Sequence, residues 1–137
     1  FQVLLDDSAI AQLLAEVRAR LAPHGRFAFE TRNPAMQAWR RWTPKATRQV
    51  VAIDGLGFVE TWHQANEPLG ETLAFESFHR FETGETLTSR GVLRFPRQAR
   101  IETLLRQAGF TTVDWLGDWD GGPMRDDSEE IIAVASA

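Results

Sequence analysis

The sequence predicts an α/β fold that carries an additional antiparallel sheet. Near the amino terminus, an amphipathic helical pattern lies between two apolar segments of strand character, which is the arrangement of a strand-helix-strand unit. From Thr47 to Phe95, apolar and polar residues alternate with a period of two, and turn-forming segments interrupt the alternation three times. A helix and two strands follow. The complete predicted order is therefore β-α-β, inserted sheet, α-β-β.

The first part of the chain is predicted to be the strand-helix-strand unit. A strand over Phe1–Leu5 precedes a helix whose N-cap candidates are Asp6–Ser8, and a second strand covers Arg26–Thr31. Pro23-His24-Gly25 ends the helix. A right-handed crossover then places the two strands side by side in a parallel pair. Because the chain opens within an apolar run, we expect further residues to precede it.

Four strands with three hairpin-like connections are predicted to form the inserted sheet. The connections contain Asp54-Gly55, Asn66-Glu67-Pro68 and Thr83-Gly84-Glu85, which are residues typical of turns. The third strand, from Thr72 to Phe81, has two distinct faces. One face is predicted to carry Leu73, Phe75, Ser77, His79 and Phe81.

Pro96 ends the inserted sheet, and the remaining residues predict a helix and two strands. The helix runs from about Ile101 to Ala108 with an amphipathic pattern, and Gly109 closes it. A strand is predicted around Phe110–Trp115. A loop rich in Gly and Asp follows, and the last strand covers Glu130–Ala135.

Length and composition predict one globular domain over residues 1–137, with the inserted sheet at about residues 47–95. The 137 residues are 43% hydrophobic and 25% charged, which is ordinary for a single core. A net charge of −4 disfavours a nucleic-acid partner, which would require clustered cations. The absence of cysteine excludes disulfides and thiolate chemistry. No apolar run is long enough for a membrane span and no signal peptide is recognisable, so a cytoplasmic protein is expected.

Polar and aromatic residues follow the strand that ends at Thr31, and they are the first candidates for a site. Pro34 ends the regular structure. Beyond it, Met36 and two tryptophans recur at three-residue steps, which on helical turns would place them on one side. Ligands of α/β proteins bind at the carboxyl ends of strands. The predicted site residues are therefore Arg32, Asn33, Trp39 and Trp42.

Three segments, in this order, resemble the carboxyl-terminal half of a class I S-adenosylmethionine-dependent methyltransferase. LAPHGRFAFETRNP, at residues 21–34, resembles the family's helix, L-x-P-G-G turn and fifth strand, with His24 in place of the first usual glycine. RIETLLRQAGF, at residues 100–110, resembles the L-L-x-x-A-G-F helix before the sixth strand. Gly117-Asp118-Trp119 and Glu130-Ile131-Ile132 resemble the closing loop and the seventh strand. The resemblance implies strands four to seven of a Rossmann-like sheet, with a four-stranded antiparallel sheet inserted.

The chain departs from this family in its cofactor-binding half. The family holds its cofactor mainly through a Gly-rich loop and an acidic residue on the ribose, and neither is present here; Gly55-Leu56-Gly57 is too short and lies in a hairpin. The resemblance thus implies a fragment of a larger domain, inactive alone, whose full-length form uses S-adenosyl-L-methionine. The family's sheet order is three-two-one-four-five-seven-six. The strand Phe1–Leu5 is therefore expected to expose an edge through which a homodimer forms.

The resemblance also implies roles for individual residues. Phe1 and Gln2 take the position beside the transferred methyl group and are expected to contact the cofactor. The residues expected to contact a small-molecule acceptor are Arg32, Asn33, Trp39, Trp42, Trp62 and His63. The tryptophans would supply an apolar or cation-binding wall. Methyl transfer depends on in-line placement more than on a catalytic triad, so no catalytic residue is assigned.

Each of these residues has a plainer structural alternative. The tryptophans could pack in the core, and Arg32 could form an ion pair at the strand end. His63 could act as a general base or could form a cross-strand pair, and His79 could be a packed histidine. The aspartates of the Gly-rich loop suggest turn chemistry rather than calcium, because the calcium-loop ligand pattern is absent. No metal site is predicted.

Two functions follow from the sequence. The first is part of a methyltransferase that transfers a methyl group to a small molecule. The alternative is a non-catalytic module, derived from that fold, that binds a small molecule or dimerises.

Overall fold

The computed structural model describes all 137 residues, which divide into two compact units. The first unit combines residues 1–37 with residues 93–137, and the second consists of residues 38–92. In chain order the elements are α1 (Asp7–Arg20), β1 (Arg26–Arg32), α2 (Pro44–Thr47), β2 (Gln49–Ile53), β3 (Gly57–Ala65), β4 (Thr72–Phe81), β5 (Thr86–Arg94), α3 (Gln98–Gln107), β6 (Thr112–Leu116) and β7 (Glu130–Ser136). None of the helices has the length and apolar character needed to cross a membrane.

Helix α1 begins where its sequence predicts and ends at Arg20, shortly before the predicted stop at Pro23-His24-Gly25. The Asp6 carboxylate caps it by accepting a hydrogen bond from the Ala9 amide at 2.8 Å, and the helix ends before Leu21. In the turn that follows, His24 adopts a φ of 64°, in the left-handed region that glycine favours. His24 occupies the position of the first glycine in the L-x-P-G-G turn that this segment resembles.

The first unit contains a three-stranded sheet in the order β1-β7-β6. Strand β7 lies at the centre and runs antiparallel to both neighbours. Ser136 of β7 lies opposite Arg26 of β1 on one side and opposite Thr112 of β6 on the other. Four of its seven residues are buried: Ile131, Ile132, Ala133 and Ala135. The predicted strands around Arg26–Thr31, Phe110–Trp115 and Glu130–Ala135 are confirmed, each within about two residues.

The prediction of a strand over Phe1–Leu5 is wrong. The segment forms a turn in which the Leu4 amide donates to the Phe1 carbonyl at 3.2 Å. Its apolar side chains serve packing instead, since the Phe1 ring stacks on Phe29 at 4.1 Å and Leu4 contacts the core. A short apolar run fits a packed turn as well as a strand. The predicted parallel pairing of this segment with β1 is therefore absent as well.

The core of the first unit lies between its two longer helices and one face of the sheet. Helix α1 contributes Ile10 and Leu14, and α3 contributes Ile101, Leu104 and Leu105. The sheet contributes Phe29, Ile131, Ala133 and Ala135, and Phe110 follows α3. Burial of these side chains is the main source of stability for this unit.

We expect Leu14→Ala to lower the free energy of unfolding by about 2–5 kcal/mol, because it leaves a cavity in a fully buried site. The matched control is Leu13→Ala on the same helix, where the side chain is 37% exposed, and it should cost less than about 1 kcal/mol. Urea unfolding followed by circular dichroism measures both. Equal losses for the two variants would contradict the assigned core.

An ion-pair network joins the start of α1 to the segment that enters α3. The Asp7 carboxylate accepts hydrogen bonds from Arg100, and the Arg94 guanidinium lies 2.8 Å from its Oδ1. The hydrogen bond from Arg100, followed by that from Arg94, lowers the pKa of Asp7 below its ordinary value. The ionised carboxylate is therefore the form that the folded chain stabilises.

A lowered folded-state pKa means that the contribution of Asp7 is present above its unfolded pKa, about 3.9, and is lost as the pH falls through the folded value. We expect Asp7→Asn to destabilise the protein at about pH 7, with the difference from the wild type shrinking as the pH falls below 4. Urea unfolding at a series of pH values measures this difference. A difference that stays constant down to acid pH would rule out the assigned linkage.

The second unit is built on a four-stranded sheet in the order β2-β3-β4-β5. Strands β2 and β3 pair antiparallel through the turn Asp54-Gly55-Leu56, and Gly57 begins β3 opposite Ile53, as the hairpin interpretation requires. Strands β3 and β4 also pair antiparallel, with His63 opposite Ser77 and Ala65 opposite Phe75. On β4, Leu73 and Ser77 are buried on the face that the alternation predicted.

The segment between β1 and β2 differs from its prediction. It forms two 3₁₀ turns, Pro34–Met36 and Ala38–Arg41, followed by the short helix α2. Gln37, with a φ of 46°, interrupts the helical course between the turns. Met36 and the tryptophans at positions 39 and 42 therefore do not share one helical face. The strand predicted from Thr47 starts at Gln49, because Thr43 caps α2 through the Ala46 amide.

Candidate functional site

A cavity of about 410 Å³ lies in the first unit, at the carboxyl end of β1 and the start of α3. It is lined by Asn33, Pro34, Ala35, Gln37, Arg97, Gln98, Ala99, Met124 and Ile131. The first turn of α3, which borders this cavity, has no side-chain cap. The cavity combines amide, guanidinium and apolar groups at the strand end where the sequence predicted a site.

Asn33 is almost fully buried, and its side chain is committed to the fold. Its Nδ2 donates to the carbonyl oxygens of Ser128 at 2.9 Å and Asp126 at 3.2 Å, and its Oδ1 accepts from the Ala35 amide at 3.0 Å. The side chain thus ties the end of β1 to the loop before β7. It positions the wall of the cavity rather than offering free groups to it.

Arg32, the other predicted residue at this strand end, lies opposite Glu130 in the β1-β7 pairing. Burial, together with the nearby Glu30 carboxylate, raises the pKa of Glu130, and the positive charge of Arg32 partly opposes this shift. Glu30 in turn accepts a hydrogen bond from the Trp119 indole at 2.6 Å. Arg32 therefore lies in a charged cluster on the sheet. This is the environment that its structural alternative, an ion pair at the strand end, requires.

Phe1 and Gln2, predicted to contact a cofactor, differ in how far the fold uses them. The Phe1 ring is stacked on Phe29 and packs against the core. The Gln2 carbonyl accepts from the Arg94 amide at 2.8 Å, but its side-chain Nε2 is buried and has no hydrogen-bond partner. Because an unpaired buried amide is costly, this nitrogen is a candidate donor to a ligand.

In the second unit, two predicted residues lie on one face of the sheet. The Trp42 ring packs edge-on against Phe75 at 5.5 Å, and the Trp42 carbonyl accepts from the Ala65 amide at 2.9 Å. His63 Nδ1 is hydrogen-bonded to the buried Ser77 hydroxyl at 2.8 Å. Because Phe75 and Ser77 alternate with Glu76 on β4, this face combines an aromatic wall with an oriented imidazole.

Thr47 holds the backbone of His63 in place. Its hydroxyl accepts from the His63 amide at 2.8 Å and lies 3.2 Å from the His63 carbonyl. The cross-strand pair that the sequence allowed for His63 is thus formed, with Ser77 as the partner. The free Nε2 of the imidazole remains available for a ligand.

Trp62 belongs to the opposite face, where it is the centre of a stacked cluster. Its ring stacks on Phe78 at 5.0 Å with an interplanar angle of 6°, and the Arg48 guanidinium lies 4.7 Å from its centroid. Glu60 binds Arg48 at 2.8 Å and also pairs with Arg80. The sheet therefore separates Trp62 from His63, its neighbour in sequence. Trp39 is half-buried, and its carbonyl accepts from the Trp42 amide at 2.9 Å.

A second cavity, of about 440 Å³, lies over β4 and β5 in this unit. Its walls include Phe75, Glu76, Arg90 and Gly91, and Glu76 binds Arg90 at 2.8 Å. A Cβ atom on Gly91 would come within 2.6 Å of the Phe75 ring, so only glycine leaves the ring in this place.

No group of three or more potential metal ligands is present. In the Gly-rich loop, Asp118 Oδ1 accepts from the amides of Asp120 at 3.0 Å and Gly122 at 2.8 Å. This is the turn chemistry that the sequence favoured over calcium.

The sequence did not single out Gln37, Ser77 or Arg97 as site residues. Ser77 could have been found only from the β3-β4 register, which depends on the conformation of the six residues between the strands. Gln37 lines the cavity because its backbone is left-handed, a conformation that a glutamine in the sequence does not predict. Arg97 was indistinguishable from other arginines that lie on solvated surfaces.

No protein-family model matches the sequence, and a search of curated proteins finds no match. Solved methyltransferase structures do match. The CcbJ methyltransferase from Streptomyces caelestis has a TM-score of 0.73 and 22% identity, over 98% of this chain and 56% of its own. An S-adenosylmethionine-dependent methyltransferase from Clostridium acetobutylicum has a TM-score of 0.70 and 12% identity, over 96% and 52%. CalS10 is an amino pentose methyltransferase from Micromonospora echinaspora solved with bound S-adenosylmethionine. It has a TM-score of 0.66 and 16% identity, over 96% of this chain and 51% of its own.

The chain spans about half the length of these structures. At these identities the likeness concerns the fold. The chain therefore has an α/β fold with antiparallel sheets that is similar to part of a methyltransferase fold.

We expect Asn33→Ala to lower the free energy of unfolding by about 1–3 kcal/mol, since three hydrogen bonds at the end of β1 are lost. Asn66→Ala, at an exposed position, is the matched control and should change stability by less than about 0.5 kcal/mol. Denaturant unfolding measures both. A neutral Asn33→Ala variant would show that the loop does not depend on this side chain.

Proposed function

We propose that these residues form the acceptor side of an S-adenosylmethionine-dependent methyltransferase, corresponding to strands five to seven of its sheet with an inserted antiparallel sheet. The observation that carries the proposal is the sheet order β1-β7-β6 with an antiparallel central strand. It matches the order five-seven-six that the sequence resemblance implies. The fit to three methyltransferases over at least 96% of the chain supports the same assignment.

S-Adenosylmethionine, when bound, supplies a methyl group on a positively charged sulfur. Of the residues proposed to contact it, Gln2 fits best, because its Nε2 is a buried donor without a partner. Phe1 offers only an apolar ring, one face of which is stacked on Phe29. One amide donor and one ring do not suffice for a nucleoside with an amino-acid group. We therefore assign the rest of the cofactor site to the part of the methyltransferase fold that this chain does not span.

The proposed acceptor contacts are a subset of the predicted residues. Trp42, backed by Phe75, offers an apolar wall, and His63 offers Nε2 as a hydrogen-bonding group. Arg32 and Trp39 are also proposed to contact the acceptor. Asn33 and Trp62 are proposed as positioning residues, because the loop before β7 and the cluster with Arg48 already engage their side chains. These residues bind and orient the acceptor and exclude water.

The alternative proposal is a non-catalytic module that binds a small molecule. It is favoured by the cavity over β4 and β5, which offers aromatic, carboxylate and guanidinium groups within the second unit alone. Such a module would bind its ligand without S-adenosylmethionine.

Calorimetric titration with S-adenosylhomocysteine tests the proposal, applied to this 137-residue chain and to the complete product of its gene. We expect binding by the complete product and at least tenfold weaker binding by the chain alone. A failure of both to bind, with retained folding, would favour the non-catalytic module.

We expect His63→Gln and Trp42→Ala each to lower kcat/KM of the complete product at least tenfold against its acceptor, identified by screening small hydroxylated and aminated molecules, including amino sugars. His24→Asn is the control, because His24 lies in a turn and Asn tolerates its left-handed backbone. Radiolabelled methyl transfer measures the rates. Unchanged rates in both variants would remove these residues from the acceptor site.

A further inference from the structure

Strand β2 is an edge of the four-stranded sheet, and it lacks the features that usually protect an edge. All five of its residues, Gln49–Ile53, are exposed, with Val50 at 64%. The strand contains no charged residue and no proline, although lysine, proline and bulges are the common means of blocking an edge. Its three β-branched residues favour extended backbone. A row of backbone donors and acceptors is therefore open to another strand.

The flanking charges indicate which strand would fit. If a second copy of β2 pairs antiparallel about a two-fold axis at Val51, Gln49 faces Ile53 and Val50 faces Ala52 of the other copy. Arg48 of each copy then lies opposite Asp54 of the other copy, so the two-fold axis generates two pairs of opposite charge. A shift of the axis by one residue places Arg48 opposite Ala52 or Leu56 and loses both pairs. The segment is thus complementary to itself in one register.

The surroundings of Arg48 and Asp54 allow this contact. Arg48 lies over Trp62 and binds Glu60, yet its side chain is 46% exposed and its guanidinium has further donors. Asp54 is exposed in the turn between β2 and β3. Phe58 of β3, which lies opposite Ala52 in the β2-β3 pairing, is 58% exposed and would extend the apolar contact beyond β2.

We propose that two copies of this chain associate through β2, in antiparallel register about Val51, to form a continuous eight-stranded sheet. The expected homodimer therefore uses β2 and not Phe1–Leu5, which forms a turn. A five-residue strand pair buries less than the ~1,200 Å² of a standard interface. The dissociation constant is accordingly expected on the order of 10–100 μM.

Single-cysteine cross-linking tests the register directly, because the chain contains no cysteine. Val51→Cys places two thiols on the axis, with Cα atoms about 4.5–5.5 Å apart, within the range that a disulfide spans. Val50→Cys is the matched control. Its two copies would be about 8 Å apart between Cα atoms, which is too far for a disulfide.

Under mild oxidation at about 100 μM protein, close to the upper end of the expected dissociation constant, we expect Val51→Cys to form disulfide-linked dimers at least tenfold faster than Val50→Cys. Non-reducing gels measure the rates. Random collision would favour the more exposed position 50, so equal rates, or faster linking at position 50, would overturn the proposal. Sedimentation of the wild type provides a second measurement, and a monomer up to about 1 mM, well above that dissociation constant, would also overturn it.

Charge exchange provides an independent test that does not depend on cysteine chemistry. Asp54→Arg and Arg48→Glu each place like charges opposite one another and should weaken self-association at least tenfold. Mixing the two variants restores both opposite-charge pairs, so a heterodimer should form with affinity close to that of the wild type. Circular dichroism checks folding. If Arg48→Glu fails to fold because Glu60 loses its partner, the cysteine pair decides the question alone.

Discussion

The burial of β7 between two neighbouring strands is the constraint on which the first unit depends. Ile131, Ala133 and Ala135 face the helical core, while Ile132 is buried on the other side. A strand that is apolar on both faces is stable only when both faces and both edges are covered. The pairing with β1 and β6 meets this requirement at the edges. It also sets the position of Glu130 and of the loop whose carbonyls hold Asn33.

Most of the architecture could be predicted from the sequence, because each long helix or strand has a strong local pattern. The helix from Asp7 has a side-chain cap and buries Ile10 and Leu14, and the residues of β4 alternate in the way that a strand requires. The failures are short segments. Phe1–Leu5 has too few residues for a period, so packing against Phe29 decides its shape. The left-handed Gln37, which separates two 3₁₀ turns, is fixed by the tertiary structure and not by local propensity.

The candidate site was harder to predict than the fold because proximity depends on register and on side-chain commitments. Trp62 and His63 are adjacent in sequence but lie on opposite faces of one strand. Of the predicted residues, Phe1, Asn33 and Trp62 have partners that occupy most of their surface or polar groups. In contrast, Gln2 Nε2 and His63 Nε2 remain available to bind a ligand. Residue type and spacing predicted which residues to consider, whereas the hydrogen bonds of the structure show which of their atoms are already engaged.

The composition of the hydrophobic core in the first unit has a consequence for how this protein can diverge. Every buried residue of that core belongs to residues 1–37 or 93–137, and none comes from the segment between them. Changes within residues 38–92 therefore do not open cavities in it. Natural variation or recombination can alter the antiparallel sheet, with Trp42, His63 and the β2 edge, while the three-stranded framework keeps its own packing. The proposed acceptor contacts and the proposed self-association edge thus lie on a segment whose substitutions leave that core intact.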